Sequence, residues 1–181
     1  HAPAALIGYR ALMVSLSDLA AMAATPRYCM IALTLDQSLL EDGSKWLQAL
    51  AVGMAEAARA CDVVICGGNL SQGPLNISVS VHGEVAPSQI LRRQGGKAGD
   101  KLYVSGAIGG AAACVRTGSI HELNHDSDGD ALSALQRAYY RPKARVDLRA
   151  QLQDASCGID ISDGLIQDLA HLCAASGCGA R

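Results

Sequence analysis

The stretch from Cys61 to Val85 constrains the fold of this chain most. It opens with Val63-Val64-Ile65-Cys66, a short apolar run of the kind a buried strand requires. Gly67-Gly68-Asn69 follows, and adjacent glycines let backbone N–H groups approach an anion that a Cβ would hold away. Beyond Gly73-Pro74, apolar Leu75, Ile77, Val79, Val81 and Val85 alternate with polar Asn76, Ser78, Ser80, His82 and Glu84. That period of two predicts a strand with one buried and one wetter face. The stretch reads as strand, glycine-bearing turn, strand, with the turn able to receive phosphate or metal.

The elements around it follow from periodicity. Tyr9, Leu12, Met13, Leu16, Leu19 and Ala20 recur at helical spacing and predict a helix over 3–24. Arg27 to Leu35 is a strand candidate. Ser44 is placed to cap a helix over 44–60 with Leu47, Leu50, Met54 and Ala57 or Ala58 on its inner face. A helix joining two strands indicates an α/β or α+β domain. Residues 86–98 form a connection in which Gly95, Gly96 and Gly99 mark turns. A second unit then begins with a strand over 101–105, a turn from Gly106 to Gly110 and an alanine-rich helix over 111–115. Strand, glycine turn and helix can hold a phosphate on free helix N–H groups, or simply pack helix closely on strand. Residues 117–130 are a polar surface excursion. Helices over 131–140 and 145–154, a strand over 157–161 and a helix over 163–176 complete the chain, the last with Leu165, Ile166, Leu169, Leu172 and Cys173 on one side. The two units are 1–97 and 98–181.

Composition narrows the function classes. The 181 residues are 50% hydrophobic, enough for real cores, yet phenylalanine is absent and aromatics make up 3%, so the cores are aliphatic. A formal charge of −2 provides no global field for nucleic acid. Basic clusters at Arg92, Arg93, Lys97 and Lys101, and at Arg137, Arg141, Lys143, Arg145 and Arg149, suit phosphate contact better than base stacking. The seven cysteines include no Cys-x-x-Cys pair and read as free thiols of a reducing cytoplasm. No apolar run suggests a membrane span, and no signal peptide is visible. The chain begins at His1 without methionine, which suggests a piece of a longer protein.

Three groups of residues carry possible chemistry. Asp18 is the only acid in the first 35 residues and shares a helical column with apolar Val14 and Met22. It is either an acid hydrogen-bonded at the helix margin or a carboxylate held on a rigid element for a cation. Ile159-Asp160-Ile161-Ser162-Asp163-Gly164 sits at a strand-to-helix junction. Capping by Ser162 or Asp163 explains one of these residues but not Asp160 as well; two carboxylates and a hydroxyl there suit Mg²⁺ and a nucleotide phosphate. His121-Glu122-Leu123-Asn124-His125 matches the zinc-peptidase pattern, which needs both histidines on one face of a substantial helix. Turn-forming Asp126 to Asp130 follows at once and argues against it. The same stretch is no calcium loop, since Gly129 is misplaced and Arg137 stands where a closing glutamate is needed. Walker and α/β-hydrolase motifs are missing.

Taken together, these pieces resemble the thiamine-monophosphate kinase family, in the superfamily of aminoimidazole ribonucleotide synthetase and selenophosphate synthetase. The matching text is Gly8-Tyr9-Arg10-Ala11-Leu12, Ser15 to Met22, Cys66-Gly67-Gly68-Asn69, Gly73-Pro74-Leu75, Leu91-Arg92-Arg93, Lys97 to Asp100, Tyr103 to Gly106 and Ile159 to Leu169. The resemblance implies an α+β fold of two domains: an N-terminal mixed sheet with helices that pairs across a homodimer, and a C-terminal α/β domain. It implies direct transfer of the ATP γ-phosphoryl to thiamine monophosphate, with Mg²⁺ and no phospho-enzyme. By position, Asp18, Asn69, Asp160 and Asp163 would be metal ligands, and Gly68, Asn69, Arg93 and Ser162 would contact ATP. No side chain is required as a nucleophile, because positioning and charge neutralisation suffice.

Departures from the family pattern bear on activity. Asn69 stands where the pattern has a metal-binding aspartate, and an amide brings no charge to offset a cation. Ala23 replaces a helix-end glycine, and Gly110 falls where the second loop has Gly-Asp. The family's N-terminal acidic motifs would precede His1, and a substrate-side segment would follow Arg181. The expectation is a cytoplasmic enzyme segment that is inactive alone. The competing readings are a non-catalytic dimeric relic and a zinc hydrolase using His121, Glu122 and His125.

Overall fold

The computed structural model describes residues 2–41, 44–123 and 132–181. A helix, α1 (Ala4–Ala21), opens the chain and leads through a tight turn into β1 (Thr25–Leu35). Then come α2 (Lys45–Ala60), β2 (Val64–Gln72) and β3 (Asn76–Glu84). Three helices follow: α3 (Gly110–Arg116), α4 (Ala134–Tyr140) and α5 (Leu165–Ser176).

The sheet has the order β2-β1-β3, with β1 parallel to β2 and antiparallel to β3. This mixed sheet and its helices are the expected α+β fold. Cys29, Leu33 and Leu35 of β1, with Ile77, Val79 and Val81 of β3, face α1 and α2. Leu12 and Leu16 of α1 and Leu50 of α2 are among the largest fully buried side chains. By length and composition α1 is apolar enough to cross a membrane, contrary to the reading of the sequence, but its Leu6, Tyr9, Leu12, Met13 and Leu16 are buried in the cores.

The two main helices meet through glycines. A Cβ on Gly53 would stand 1.8 Å from the Ala5 carbonyl oxygen, and one on Gly8 would stand 2.2 Å from that of Leu50. The backbones approach so closely only because both positions lack a side chain.

Several sequence expectations change. Gly67-Gly68-Asn69 is no turn: β2 runs straight through it, and the chain reverses at Gly73-Pro74-Leu75. Cys66 is the extra residue of a bulge, since Cys29 pairs with Ile65 but Met30 pairs with Gly67. β2 is an edge strand rather than a buried one, and Val64 is 62% exposed. Ser44 adopts a left-handed conformation (φ 66°) and gives α2 no side-chain cap. The helix expected over 145–154 is two 3₁₀ turns, Val146–Leu148 and Gln151–Asp154. Among the described residues beyond 98 there is no strand, so 101–105 and 157–161 lack the expected ladders. A strand is defined by a hydrogen-bonded neighbour, and neither segment has one. Tyr103 is accordingly 81% exposed, and Ile166, expected on an inner face, is 86% exposed.

The second half is tied to the first by arginines. Arg10 lies over the Tyr139 ring and donates to the Tyr139 carbonyl. Arg141 lies over the Tyr9 ring and pairs with Glu56, and Arg149 donates to Thr25 Oγ1. Arg145 pairs with Asp147. Arg141, Arg145 and Arg149 of the basic cluster thus make intramolecular ties.

Candidate metal and nucleotide site

The exit of α1, the connection 91–96 and the loop before α5 are laced together. The Leu91 N–H donates to the Met22 carbonyl (3.2 Å) and the Gly158 N–H to the Arg92 carbonyl (2.9 Å). The Ser176 hydroxyl donates to the Arg93 carbonyl and accepts from the Gly96 N–H, each at 3.2 Å. Gly158 is a packing requirement, because a Cβ there would stand 2.5 Å from Leu91 Cδ2. These bonds bring three distant parts of the chain to one place.

Asp160 and Arg93 come within electrostatic reach of Asp18 there. Burial and the nearby Asp160 carboxylate push the Asp18 carboxyl above its usual range, while the Arg93 guanidinium pulls it back. Asp18 nonetheless reaches solvent, as do Val14 and Met22 in the same column. The row taken as apolar from the sequence is therefore an exposed face of α1, where a ligand can reach the acid.

Asp160 is held by its own loop, accepting a hydrogen bond from the Ser162 hydroxyl at 2.8 Å. Asp163 accepts from the Gln167 amide at 3.4 Å. Beneath them Asp168 is buried, and its Oδ2 accepts from the N–H groups of Ser162, Asp163 and Gly164 at 2.9, 3.1 and 3.1 Å. Gly164 (φ 131°) supplies the backbone conformation that lets the loop wrap over this carboxylate. The sequence reading gave Asp168 no role. Its signal was an acid in the first turns of a helix just after a Ser-Asp-Gly string, an arrangement able to satisfy free N–H groups.

Gly68 and Asn69 are elsewhere. Asn69 pairs with Ala32, seven residues along β1 from Thr25, roughly 23 Å at the rise of an extended strand. Gly68 has a local reason to be glycine, since a Cβ would stand 1.8 Å from the Ile31 carbonyl oxygen. Among the described residues no group of three or more His, Cys, Asp or Glu side chains could hold a metal ion; Asp18 and Asp160 contribute two carboxylates. His121 ends a 3₁₀ turn, Ser119–His121, and Glu122 follows it outside any helix, while His125 lies outside the described residues. The helix that a His-Glu-x-x-His zinc site needs does not start there.

A groove of about 730 Å³ lies at the other end of α1, lined by Ile7, Arg10, Ala11, His121, Tyr139 and Tyr140 among others. Its arginine is already engaged by Tyr139.

Residues 1–85 match the family described as AIR synthase related protein, N-terminal domain. The thiamine-monophosphate kinase of Salmonella typhimurium is 40% identical over 176 residues, which are 97% of this chain and 52% of that protein. The crystal structure of thiamine-monophosphate kinase from Stenotrophomonas maltophilia superposes with a TM-score of 0.86 at 37% identity, covering 97% of this chain and 55% of that one. AaThiL complexed with AMPPCP and TMP superposes with a TM-score of 0.84 at 30% identity over the same shares. The chain spans about half the length of the curated relatives it matches. Over residues 1–85 it is similar to the AIR synthase related N-terminal domain, and over 97% of its length it is similar to the thiamine-monophosphate kinases.

Proposed function

We propose that this chain supplies the metal- and nucleotide-facing part of a thiamine-monophosphate kinase, an ATP-dependent phosphotransferase that makes thiamine diphosphate. The observation that carries the reading is the hydrogen-bonded lacing of the α1 exit, the 91–96 connection and the loop before α5, which brings Arg93 and Asp160 within electrostatic reach of Asp18. AaThiL, its relative, is complexed with AMPPCP and TMP, which supports ATP and thiamine monophosphate as the two substrates.

The residues fit a hard divalent cation. Asp18 and Asp160 present carboxylate oxygens, Asp160 destabilises the charge on Asp18, and a cation between like charges removes that penalty. They would hold Mg²⁺, with Asp163 as a further ligand. When bound, Mg²⁺ neutralises charge on the phosphates. On this reading Arg93 and the Ser162 hydroxyl contact ATP. The substrate phosphate oxygen bonds to the γ-phosphorus as the bond to ADP breaks, so no protein side chain is phosphorylated.

Gly68 and Asn69 serve this reaction only if a second copy brings them in, given their distance along β1 from the end of α1. The reading therefore includes a homodimer whose sheets pair through the exposed face of β1, with ATP at the junction. Tyr28 and Met30 are exposed on that face, and Tyr28 stacks on His82 of β3 with ring centroids 4.7 Å apart. Residues 1–97 form the dimerising, ATP-binding domain and 98–181 belong to the second, in a cytoplasmic enzyme. Little turnover is expected from the 181 residues alone.

The test is ADP release with thiamine monophosphate by the full-length natural protein, compared with Asn69→Asp. Basal turnover that the substitution raises supports the kinase. No turnover from either form favours a relic that keeps the scaffold.

A further inference from the structure

We propose that Asp168 is a positioning residue of this site, whose carboxylate sets the shape of the 160–164 loop and so the presentation of Asp160 to a cation. The inference rests on the metal reading above.

Asp168 is an acid at 5% exposure that accepts hydrogen bonds from backbone N–H groups. Three consecutive N–H groups, of Ser162, Asp163 and Gly164, converge on its Oδ2. Three N–H groups aimed at one point form a nest of the kind that elsewhere receives a phosphate oxygen. Here the protein's own carboxylate fills that nest. A nucleotide therefore meets this loop through the Ser162 hydroxyl and the Asp160 carboxylate, which face outward, and not through the loop amides.

The shape passes on to Asp160 by one further bond. Ser162, whose N–H is gripped from below, donates its hydroxyl to Asp160 Oδ2 at 2.8 Å. Asp168, loop amides, Ser162 and Asp160 are thus one connected chain, running from a buried anchor on α5 to the group facing Asp18. Helix α5 is itself fastened to the connection bearing Arg93 through Ser176. The Arg93 backbone and the Asp160 carboxylate are thus both tied to the same helix, one directly through Ser176 and the other through Ser162 and Asp168.

The experiment compares the unaltered full-length natural protein with Asp168→Asn and Asp168→Glu. Amide hydrogen exchange reads the nest, and Mn²⁺ titration followed by electron paramagnetic resonance reads the cation site. The Ser162, Asp163 and Gly164 amides should be protected in the unaltered protein without ligand. In Asp168→Asn, whose uncharged amide oxygen is a weaker acceptor, that protection should fall while β1 and β3 keep theirs, and Mn²⁺ affinity should fall by about 10- to 100-fold, the usual effect of disturbing a group that orients a metal ligand. Asp168→Glu should restore part of both. Unprotected amides in the unaltered protein, or an unchanged Mn²⁺ affinity in Asp168→Asn, would overturn the proposal alone. Absence of Mn²⁺ binding by the unaltered protein would overturn the metal reading and this inference with it. Should Asp168→Asn fail to fold, Ser162→Ala cuts the same chain one bond later, and an Mn²⁺ affinity unchanged by it overturns the proposal equally.

Discussion

The guanidinium carbon of Arg141 lies 4.1 Å from the centre of the Tyr9 ring, and the same side chain forms paired hydrogen bonds to Glu56. One arginine just beyond α4 thus clasps α1 and α2 together. Arg141→Ala should lower stability by about 1–2 kcal/mol, combining a cation–π contact with a charge-assisted bond at a half-buried position. Arg141→Lys should recover only part, because lysine cannot make the bidentate contact. Urea denaturation of the three forms measures this.

Acid should weaken the same clasp. The hydrogen bonds from Arg141 hold the Glu56 carboxyl below its ordinary value of 4.5. A depressed carboxyl stabilises the fold above its unfolded value, and that contribution is lost as pH falls through the lower folded value. The stability difference between the natural chain and Arg141→Ala should therefore shrink on acidification below about pH 4.5. A constant difference across that range would refute the assignment.

Asp18 runs the other way. Its carboxyl is raised above the ordinary 3.8 by burial and by Asp160. The native state is penalised as pH rises from the unfolded value through the raised one, so Asp18→Asn should be more stable than the natural chain at neutral pH. It should also lose the rise in melting temperature that Mg²⁺ gives the unaltered protein, since a ligand stabilises only the state that binds it. Thermal melts with and without Mg²⁺ test both.

Ala23 adopts φ 56° at the end of α1, a left-handed conformation that costs a residue with a Cβ about 1–2 kcal/mol. Ala23→Gly should raise stability by about 0.5–1 kcal/mol, after allowing for glycine's freer unfolded chain. A loss of stability would mean that the packing of this buried methyl outweighs the strain.

Gly53→Ala should do the opposite. Its new methyl would collide with the Ala5 carbonyl and push α1 from α2, costing about 1–3 kcal/mol or more. Equilibrium unfolding of this variant checks the closeness of the helix crossing.

The sequence by itself determined α1, α2 and α5, the alternation of β3 and the types of residue that carry the chemistry, because each is written in neighbouring residues. The period of Tyr9, Leu12, Met13 and Leu16 names a buried helix face wherever that helix packs. A carboxylate at position 18 or 160 is an oxygen donor in any fold. Pairing and proximity lie outside that local code. Only the assembled sheet decided that Gly67 and Gly68 continue a bulged edge strand, since a bulge is defined against a partner in this case 37 residues away. Only the packing of α1 against the 91–96 connection and the loop before α5 decided that Arg93 and Asp160 act on the charge of Asp18. The nest around Asp168 belongs with these, because three amides close on one oxygen only after the loop has turned over the helix.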